Sequence, residues 1–148
     1  MKLQPFNIFV ALSLVAMAGG FLFFRNGSTT EPKQVAQESL QMDLNNYLDY
    51  TDAILASAQQ KGRPVLFFAA TTWCQTCSAL EEDILERQGE IPTDVTILKV
   101  DYDNDKAMKQ KWGVTAQHTL IVLDGNGKEV KRWLGGGFDT LIQEVEAI

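Results

Sequence analysis

The sequence predicts an α/β domain in which one mixed β-sheet carries helices on both faces. Two observations lead to this fold class. From Tyr50 onwards, segments of helical spacing alternate with short apolar runs, an order typical of parallel β-α-β units. The last two apolar runs are joined instead by Asp-Gly-Asn-Gly at Asp124–Gly127, a composition that favours an antiparallel hairpin.

The predicted elements follow the order α-β-α-β-α-β-β-α. The first strands are continuous apolar runs, as expected of strands covered on both faces. Gly62 and Gly113 end the first and third helices. The helices are predicted over Tyr50–Lys61, Ser78–Arg87, Asp103–Trp112 and Phe138–Ala147, and the strands over Val65–Ala70, Val95–Val100, His118–Leu123 and Lys128–Leu134.

The first part of the chain is predicted to lie outside this domain. Ile8–Phe24 contains no charged residue, and as a helix it is roughly 25 Å long, the short end of what spans a bilayer. We predict an uncleaved transmembrane signal anchor at residues 1–25, a polar linker at 26–42 and the domain at 43–148. The alternative is a secreted protein whose signal peptide is cleaved after Ala16–Ala18. Both alternatives export the domain to the periplasm or the cell exterior.

The charge balance excludes some partners. The chain has 13 basic and 19 acidic residues, a net charge of −6, which argues against nucleic acid or anionic lipid as the main partner. Two acidic clusters have structural interpretations: Glu81–Asp83 as a solvated helix face, and Asp101, Asp103 and Asp105 as a strand end and a helix cap. We expect a monomer.

The chemistry concentrates in Trp73-Cys74-Gln75-Thr76-Cys77, which holds the only two cysteines of the chain. This stretch follows an apolar strand and opens a helix, so the two thiols lie on one face, close enough to form a disulfide. Cys74 lies among unpaired N–H groups at the positive end of the helix dipole, which favours a thiolate. Cys77, one turn further, should be more buried. The asymmetry predicts an attacking Cys74 and a resolving Cys77.

The order of elements, the Trp-Cys-x-x-Cys motif and the segment Trp112–Val114 before a strand at Thr119 resemble the thioredoxin family over about Asp43–Ile148. The resemblance implies a thioredoxin-like fold and thiol–disulfide exchange with protein substrates and a membrane or soluble redox partner, without a cofactor. Tethered domains of this family commonly pass electrons to exported proteins, so a reductase is expected, with a dithiol oxidase or isomerase as the alternative. It also implies that substrate-binding or modulating residues surround the dithiol, namely Trp73, Gln75, Thr76, Gln117, His118 and Thr119.

The sequence departs from the family pattern near the motif. His118 stands where thioredoxins have a cis-proline, so we expect a trans bond with a reshaped loop or a strained cis bond. Phe68 aligns with the buried acid that serves the resolving thiol, and Ile97 aligns with a nearby lysine. Gln75-Thr76 replaces Gly-Pro, which leaves the redox potential and the direction of exchange open.

His118 is the only histidine, and its expected place beside the thiols gives it two roles to consider. Its imidazole would stabilise the Cys74 thiolate when protonated and assist proton transfer when neutral. Alternatively, Cys74, Cys77 and His118 form a metal carrier's site for a soft ion such as Cu(I), or for Zn(II) with one position open. A purely structural disulfide is disfavoured, because so short a loop constrains little of the unfolded chain.

Overall fold

The computed structural model describes residues 45–148 and contains a five-stranded mixed β-sheet with four α-helices. The strand order is β1-β3-β2-β4-β5; β1, β3 and β2 are parallel, and β4 and β5 are antiparallel to their neighbours. The predicted mixed sheet and hairpin are confirmed. The strands are β1 (Tyr47–Asp49), β2 (Arg63–Ala69), β3 (Val95–Asp101), β4 (Thr119–Leu123) and β5 (Glu129–Leu134); the helices are α1 (Asp52–Lys61), α2 (Gln75–Glu86), α3 (Lys106–Trp112) and α4 (Phe138–Glu146), with a 3-10 turn at Gln88–Glu90.

The sheet is covered on both faces, as predicted. One apolar core lies between the sheet and helices α2 and α4, and it contains Phe67, Cys77 and Phe138. The other lies between the sheet and helices α1 and α3, and it contains Phe68 and Met108. Successive residues of a strand point to opposite faces, so the neighbours Phe67 and Phe68 belong to different cores. We call these the α2–α4 core and the α1–α3 core.

The edge strand β1 was not predicted. It has three residues and pairs in parallel with β3, with Tyr47 opposite Ile97. So short a segment shows no alternation of apolar and polar residues, and it becomes a strand only through its pairing with β3. The observed order therefore begins with a strand ahead of the predicted first helix.

Helix α3 begins at Lys106 rather than at Asp103. Asp105 is its N-cap, and the Asp105 carboxylate accepts the backbone N–H of Met108 at 2.9 Å. Asp101, at the end of β3, accepts two backbone N–H groups of the turn that follows. These two aspartates act as the predicted strand end and helix cap.

The N-terminal predictions fall outside residues 45–148. The signal anchor at 1–25 and the linker at 26–42 lie beyond the described part of the chain and stay predictions, as does the start of the domain at residue 43. Within residues 45–148, no helix has the length and apolar character required to cross a bilayer.

Gly113 ends α3 in the left-handed conformation, with φ 61° and ψ 33°. A Cβ added there would meet no atom within 4 Å, so only the backbone conformation opposes a side chain. We expect Gly113→Ala to lower the free energy of unfolding by about 1 kcal/mol, measured by urea denaturation. Gly89→Ala is the matched control, because its Cβ also meets nothing within 4 Å and its backbone is not left-handed. Equal losses in both variants would contradict this explanation.

Candidate active site

The two cysteines open α2 directly after the turn that leaves β2. Cys74 is the N-cap residue, with φ −90° and ψ 97°, and its Sγ accepts the backbone N–H of Cys77 at 3.2 Å. Because the sulfur caps the helix, α2 begins at Gln75 rather than at Ser78. A disulfide joins Cys74 to Cys77, with the two Cα atoms 5.3 Å apart.

The two cysteines differ in exposure as predicted. Cys74 is 7% exposed and Cys77 is 0% exposed. After reduction, the Cys77 N–H and the positive end of the α2 dipole stabilise a thiolate at Cys74, while the apolar surroundings of Cys77 favour its neutral thiol. The geometry therefore supplies a nucleophile that keeps a small exposed fraction and a second thiol that is fully buried.

Thr76 connects Cys74 to the histidine. Its Oγ1 lies 3.4 Å from Cys74 Sγ and 3.0 Å from His118 Nδ1. A ring nitrogen of His118 and the sulfurs of Cys74 and Cys77 lie within 4.8 Å of one another. The second ring nitrogen of His118, Nε2, is buried and has no hydrogen-bond partner in the described part of the chain. The fold thus brings together four of the residues that the sequence singled out.

The backbone at His118 is left-handed, with φ 59°, and it is the one non-glycine residue with a positive φ between residues 45 and 148. No peptide bond in that range is cis, so the loop is reshaped around a trans bond. The N–H of His118 donates to the carbonyl of Phe68 at 2.8 Å, and its own carbonyl accepts from the N–H of Gly135 at 2.9 Å. A left-handed residue with a β-carbon costs about 1–2 kcal/mol, and these contacts hold it there.

Burial sets the charge state of His118. Desolvation holds the pKa of its imidazole below the ordinary value, and the nearby backbone of Gly136 opposes this only in part. His118 is 4% exposed, which agrees with desolvation as the dominant cause. The ring is therefore neutral near pH 7.

The lowered pKa of His118 predicts a pH dependence of stability. Above about pH 6.5 the imidazole is neutral in both folded and unfolded chains; below it, the unfolded chain binds a proton that the folded chain resists, so the free energy of unfolding falls. We expect the oxidised protein to be less stable in urea at about pH 5 than at about pH 7.5. His118→Asn is the control, because asparagine tolerates a positive φ and does not titrate. A drop of the same size in that variant would contradict the assignment.

The structure corrects which residue stands where thioredoxins have their buried acid. Phe68 lies in the α1–α3 core, on the sheet face away from the disulfide. The phenylalanine on the disulfide face is Phe67, which shares the α2–α4 core with Cys77. In the register of β2 and β3, Phe67 stands opposite Lys99, so this face does carry a lysine beside Ile97. Strand alternation decides which face a residue occupies. Counting back from Cys74 through the turn therefore selected Phe68, whereas the residue that faces the disulfide is Phe67.

Lys99 takes part in a polar cluster that the sequence did not reveal. Its Nζ donates to Glu81 at 2.8 Å, and the hydroxyl of Tyr47 donates to the same carboxylate at 2.9 Å. Desolvation lowers the pKa of Lys99, but the hydrogen bond and charge of Glu81 outweigh it and hold that pKa above its ordinary value. The prediction that Glu81 belongs to a solvated face is wrong, since its side chain is 19% exposed and ion-paired. Glu81 lies one helical turn beyond Cys77 on α2.

Trp73 forms the exposed wall beside the disulfide. It is 56% exposed, and its indole N–H donates to the carboxylate of Asp103 at 3.0 Å. Gln75 is also exposed at this edge. Asp103 fixes the orientation of the indole, a role that its position in the sequence did not indicate.

The loop before β4 lies next to the first turn of α2, because His118 Nδ1 is 3.0 Å from Thr76 Oγ1. The Thr119 hydroxyl donates to the carbonyl of Ala116 at 2.7 Å, so it holds the loop rather than offering a free contact. Gln117 is half-buried. Leu134, which no sequence motif indicated, is 65% exposed and stands opposite Thr119 in the register of β4 and β5. The alternation along β5 predicts that one of its faces is exposed, but only the topology brings Leu134 beside this loop.

The fold and its dithiol define a thiol–disulfide oxidoreductase. A comparison with protein-family models leads to the same class, because the Thioredoxin model matches residues 48–147. The chain therefore belongs to the thioredoxin family, whose members act on the thiols and disulfides of proteins.

Individual relatives support this membership. Thioredoxin H2-1 of Oryza sativa is 30% identical over 125 residues, covering 82% of this chain and 88% of the relative. The thioredoxin of Mycobacterium tuberculosis is 31% identical over 100 residues, covering 66% of this chain and 85% of its own length. Among solved structures, thioredoxin NaTrxh of Nicotiana alata superposes with a TM-score of 0.58 at 28% identity, covering 82% of this chain and 97% of the other.

Proposed function

We propose that this protein is an extracytoplasmic, membrane-anchored oxidoreductase that reduces disulfides in exported proteins. The observation that carries the exchange chemistry is the capping geometry of Cys74, whose sulfur accepts a helix N-terminal N–H and is the more exposed of the pair. The apolar segment Ile8–Phe24 supports anchoring and export. The reducing direction is supported by analogy with tethered members of the family.

The exchange proceeds through a mixed disulfide. The Cys74 thiolate attacks one sulfur of a partner disulfide, forming a bond to it and releasing the other sulfur as a thiolate. Cys77, once deprotonated, attacks Cys74 and releases the second partner sulfur. The partner gains two electrons and two protons, and the Cys74–Cys77 pair is left oxidised. Run backwards, the same steps make the protein an oxidase.

Cys77 needs a proton acceptor, and His118 is the group that fits. The disulfide face of β2 offers Phe67, which cannot accept a proton. A ring nitrogen of His118 lies within 4.8 Å of both sulfurs, and its Nε2 is buried without a partner. Because burial keeps the ring neutral near pH 7, it is able to take the proton of Cys77 in the resolving step.

Thr76 is proposed to position the nucleophile. With Nδ1–H of His118 donating to Thr76 Oγ1, the Thr76 hydroxyl donates to the Cys74 sulfur. We expect Thr76→Val, which keeps the shape and removes the hydroxyl, to slow alkylation of reduced Cys74 about 2- to 10-fold near pH 7, as loss of a hydrogen bond of roughly 0.5–1.5 kcal/mol implies. Gln75→Ala is the control, because Gln75 is exposed on the same turn. Equal alkylation rates in the two variants would contradict a positioning role for the Thr76 hydroxyl.

Substrates are proposed to dock against the exposed Trp73 and the loop before β4, with the exposed Leu134 beside that loop. Between residues 45 and 148 no hydrogen bond occupies the backbone of Gln117, whereas the backbone groups of its neighbour His118 are both bonded. Gln117 therefore offers main-chain groups to an extended substrate segment. We expect a monomer, in which no second subunit covers this docking surface.

A trapping experiment tests the function. Cys77→Ala blocks the resolving step, so full-length protein expressed in cells should accumulate as mixed disulfides through Cys74. The double variant Cys74→Ser/Cys77→Ala is the control for non-specific capture. An empty trap at normal expression would count against the proposal.

A second experiment tests location and direction. Intact cells are treated with a membrane-impermeant maleimide before lysis, and the fraction of alkylated Cys74 is measured. An exported reductase should be labelled, because its dithiol faces outward and is kept reduced. Labelling only after lysis would exclude export, and labelling that requires prior treatment with a reductant would favour the oxidase.

A further inference from the structure

We propose that the reduced protein binds one Cu(I) ion through the sulfurs of Cys74 and Cys77 and a ring nitrogen of His118. These three ligand atoms lie within 4.8 Å of one another, and all three residues are buried. In the chain from residue 45 to 148, no other group of histidine, cysteine and acidic side chains is close enough to hold a metal. Two thiolates and an imidazole, shielded from water, are soft and borderline donors that suit a soft ion.

The hydrogen bonding of the His118 ring is compatible with metal binding. A metal-bound histidine ordinarily keeps one ring nitrogen hydrogen-bonded to a neighbour, which fixes the ring and leaves the other nitrogen for the metal. Here Nδ1 lies 3.0 Å from Thr76 Oγ1, and Nε2 is buried without a partner. The ring therefore has a nitrogen that no protein group between residues 45 and 148 occupies.

The number of donors favours Cu(I) over Zn(II). Zinc sites are four-coordinate, and a closed one needs four protein ligands. This site offers three. Met108, the one methionine between residues 45 and 148, lies in the α1–α3 core on the other face of the sheet and cannot serve as a fourth. Cu(I) is stable with three ligands, two of them thiolates.

Binding is coupled to the redox state of the same pair. The disulfide-bonded sulfurs offer no thiolate, so the site forms only after Cys74–Cys77 has taken up two electrons and two protons. Binding of Cu(I) then releases the thiol protons and occupies both sulfurs. The metal therefore blocks disulfide exchange for as long as it is bound.

The test is a competition for Cu(I) under anaerobic conditions between the full-length protein, kept in mild detergent, and a chromophoric Cu(I) chelator. We expect the reduced protein to hold one equivalent at submicromolar free Cu(I), and the oxidised protein to hold none. Cys74→Ser and Cys77→Ser should each lose at least 100-fold in affinity, and His118→Asn at least 10-fold. Thr115→Ala, a change at an exposed position of the same loop, should leave the affinity unchanged. Direct binding is measured, so the result does not depend on whether the protein exchanges disulfides.

X-ray absorption of the copper in the wild-type complex provides a readout that needs no variant. A shell of two sulfurs and one nitrogen supports the site. A shell of sulfurs alone, an unchanged affinity in His118→Asn, or equal binding by the oxidised protein would each overturn the three-ligand assignment. Failure to bind Cu(I) in competition with the chelator would overturn the inference entirely, while leaving the exchange activity to be judged by its own assay.

Discussion

Replacement of Cys74 by serine is expected to reduce disulfide reduction by this protein to the uncatalysed background. A serine hydroxyl is not ionised near neutral pH, and it forms no bond equivalent to the mixed disulfide. The capping role that the sulfur plays for the N–H of Cys77 is one that serine also performs well, so the fold should survive. The activity is measured as reduction of insulin disulfides in the presence of dithiothreitol.

Cys77→Ser is the matched variant, and it should behave differently. The sulfur of Cys74, the less buried of the two cysteines, still attacks the substrate, but the mixed disulfide has no resolving thiol and persists until an external thiol releases it. A single turnover should therefore trap protein–insulin adducts in Cys77→Ser and none in Cys74→Ser. The reverse pattern would show that the nucleophile is Cys77, and the assignment from burial would be wrong.

Phe67→Ala is expected to destabilise the protein by about 3–5 kcal/mol, the range for deleting a fully buried aromatic side chain. Phe67 is 0% exposed in the α2–α4 core, where it packs with Cys77 and lies in edge contact with the His118 ring at 5.5 Å between centroids. Its removal leaves a cavity below both active-site elements. The free energy of unfolding is measured by urea denaturation of the oxidised protein.

Val130→Ala provides the control for that experiment. Val130 is 45% exposed on β5, and its truncation should cost less than about 1 kcal/mol. Phe67→Ala should also lower the midpoint of thermal unfolding by far more than the control does. Comparable losses in the two variants would contradict the placement of Phe67 beneath the disulfide.

Much of the fold followed from the sequence because its signals were local. The hairpin at Asp124–Gly127 and the apolar runs of β2 and β3 depend on short-range patterns that are independent of the rest of the chain. β1 did not follow, because its three residues carry no periodicity and are a strand only when paired with β3. The early start of α2 did not follow either, because cysteine is not among the residues from which a helix N-cap is predicted.

The site was predictable in its residues but not in its geometry. The Cys-x-x-Cys motif located the dithiol, and the resemblance brought His118 to it. The bridge through Thr76 and the left-handed backbone of His118 depend on how the loop before β4 packs against α2, which no local pattern encodes. The face occupied by Phe67, and the pairing of Lys99 with Glu81, required the strand register.

The most direct test of the account is the stoichiometry of one round of exchange. Fully reduced protein is mixed with excess insulin, quenched with an alkylating agent and analysed by mass spectrometry. The proposed mechanism predicts one intramolecular Cys74–Cys77 disulfide for each insulin disulfide opened, preceded by a transient adduct through Cys74. Insulin disulfides that remain intact while both cysteines stay alkylated, or protein that becomes oxidised only as intermolecular dimers, would contradict it.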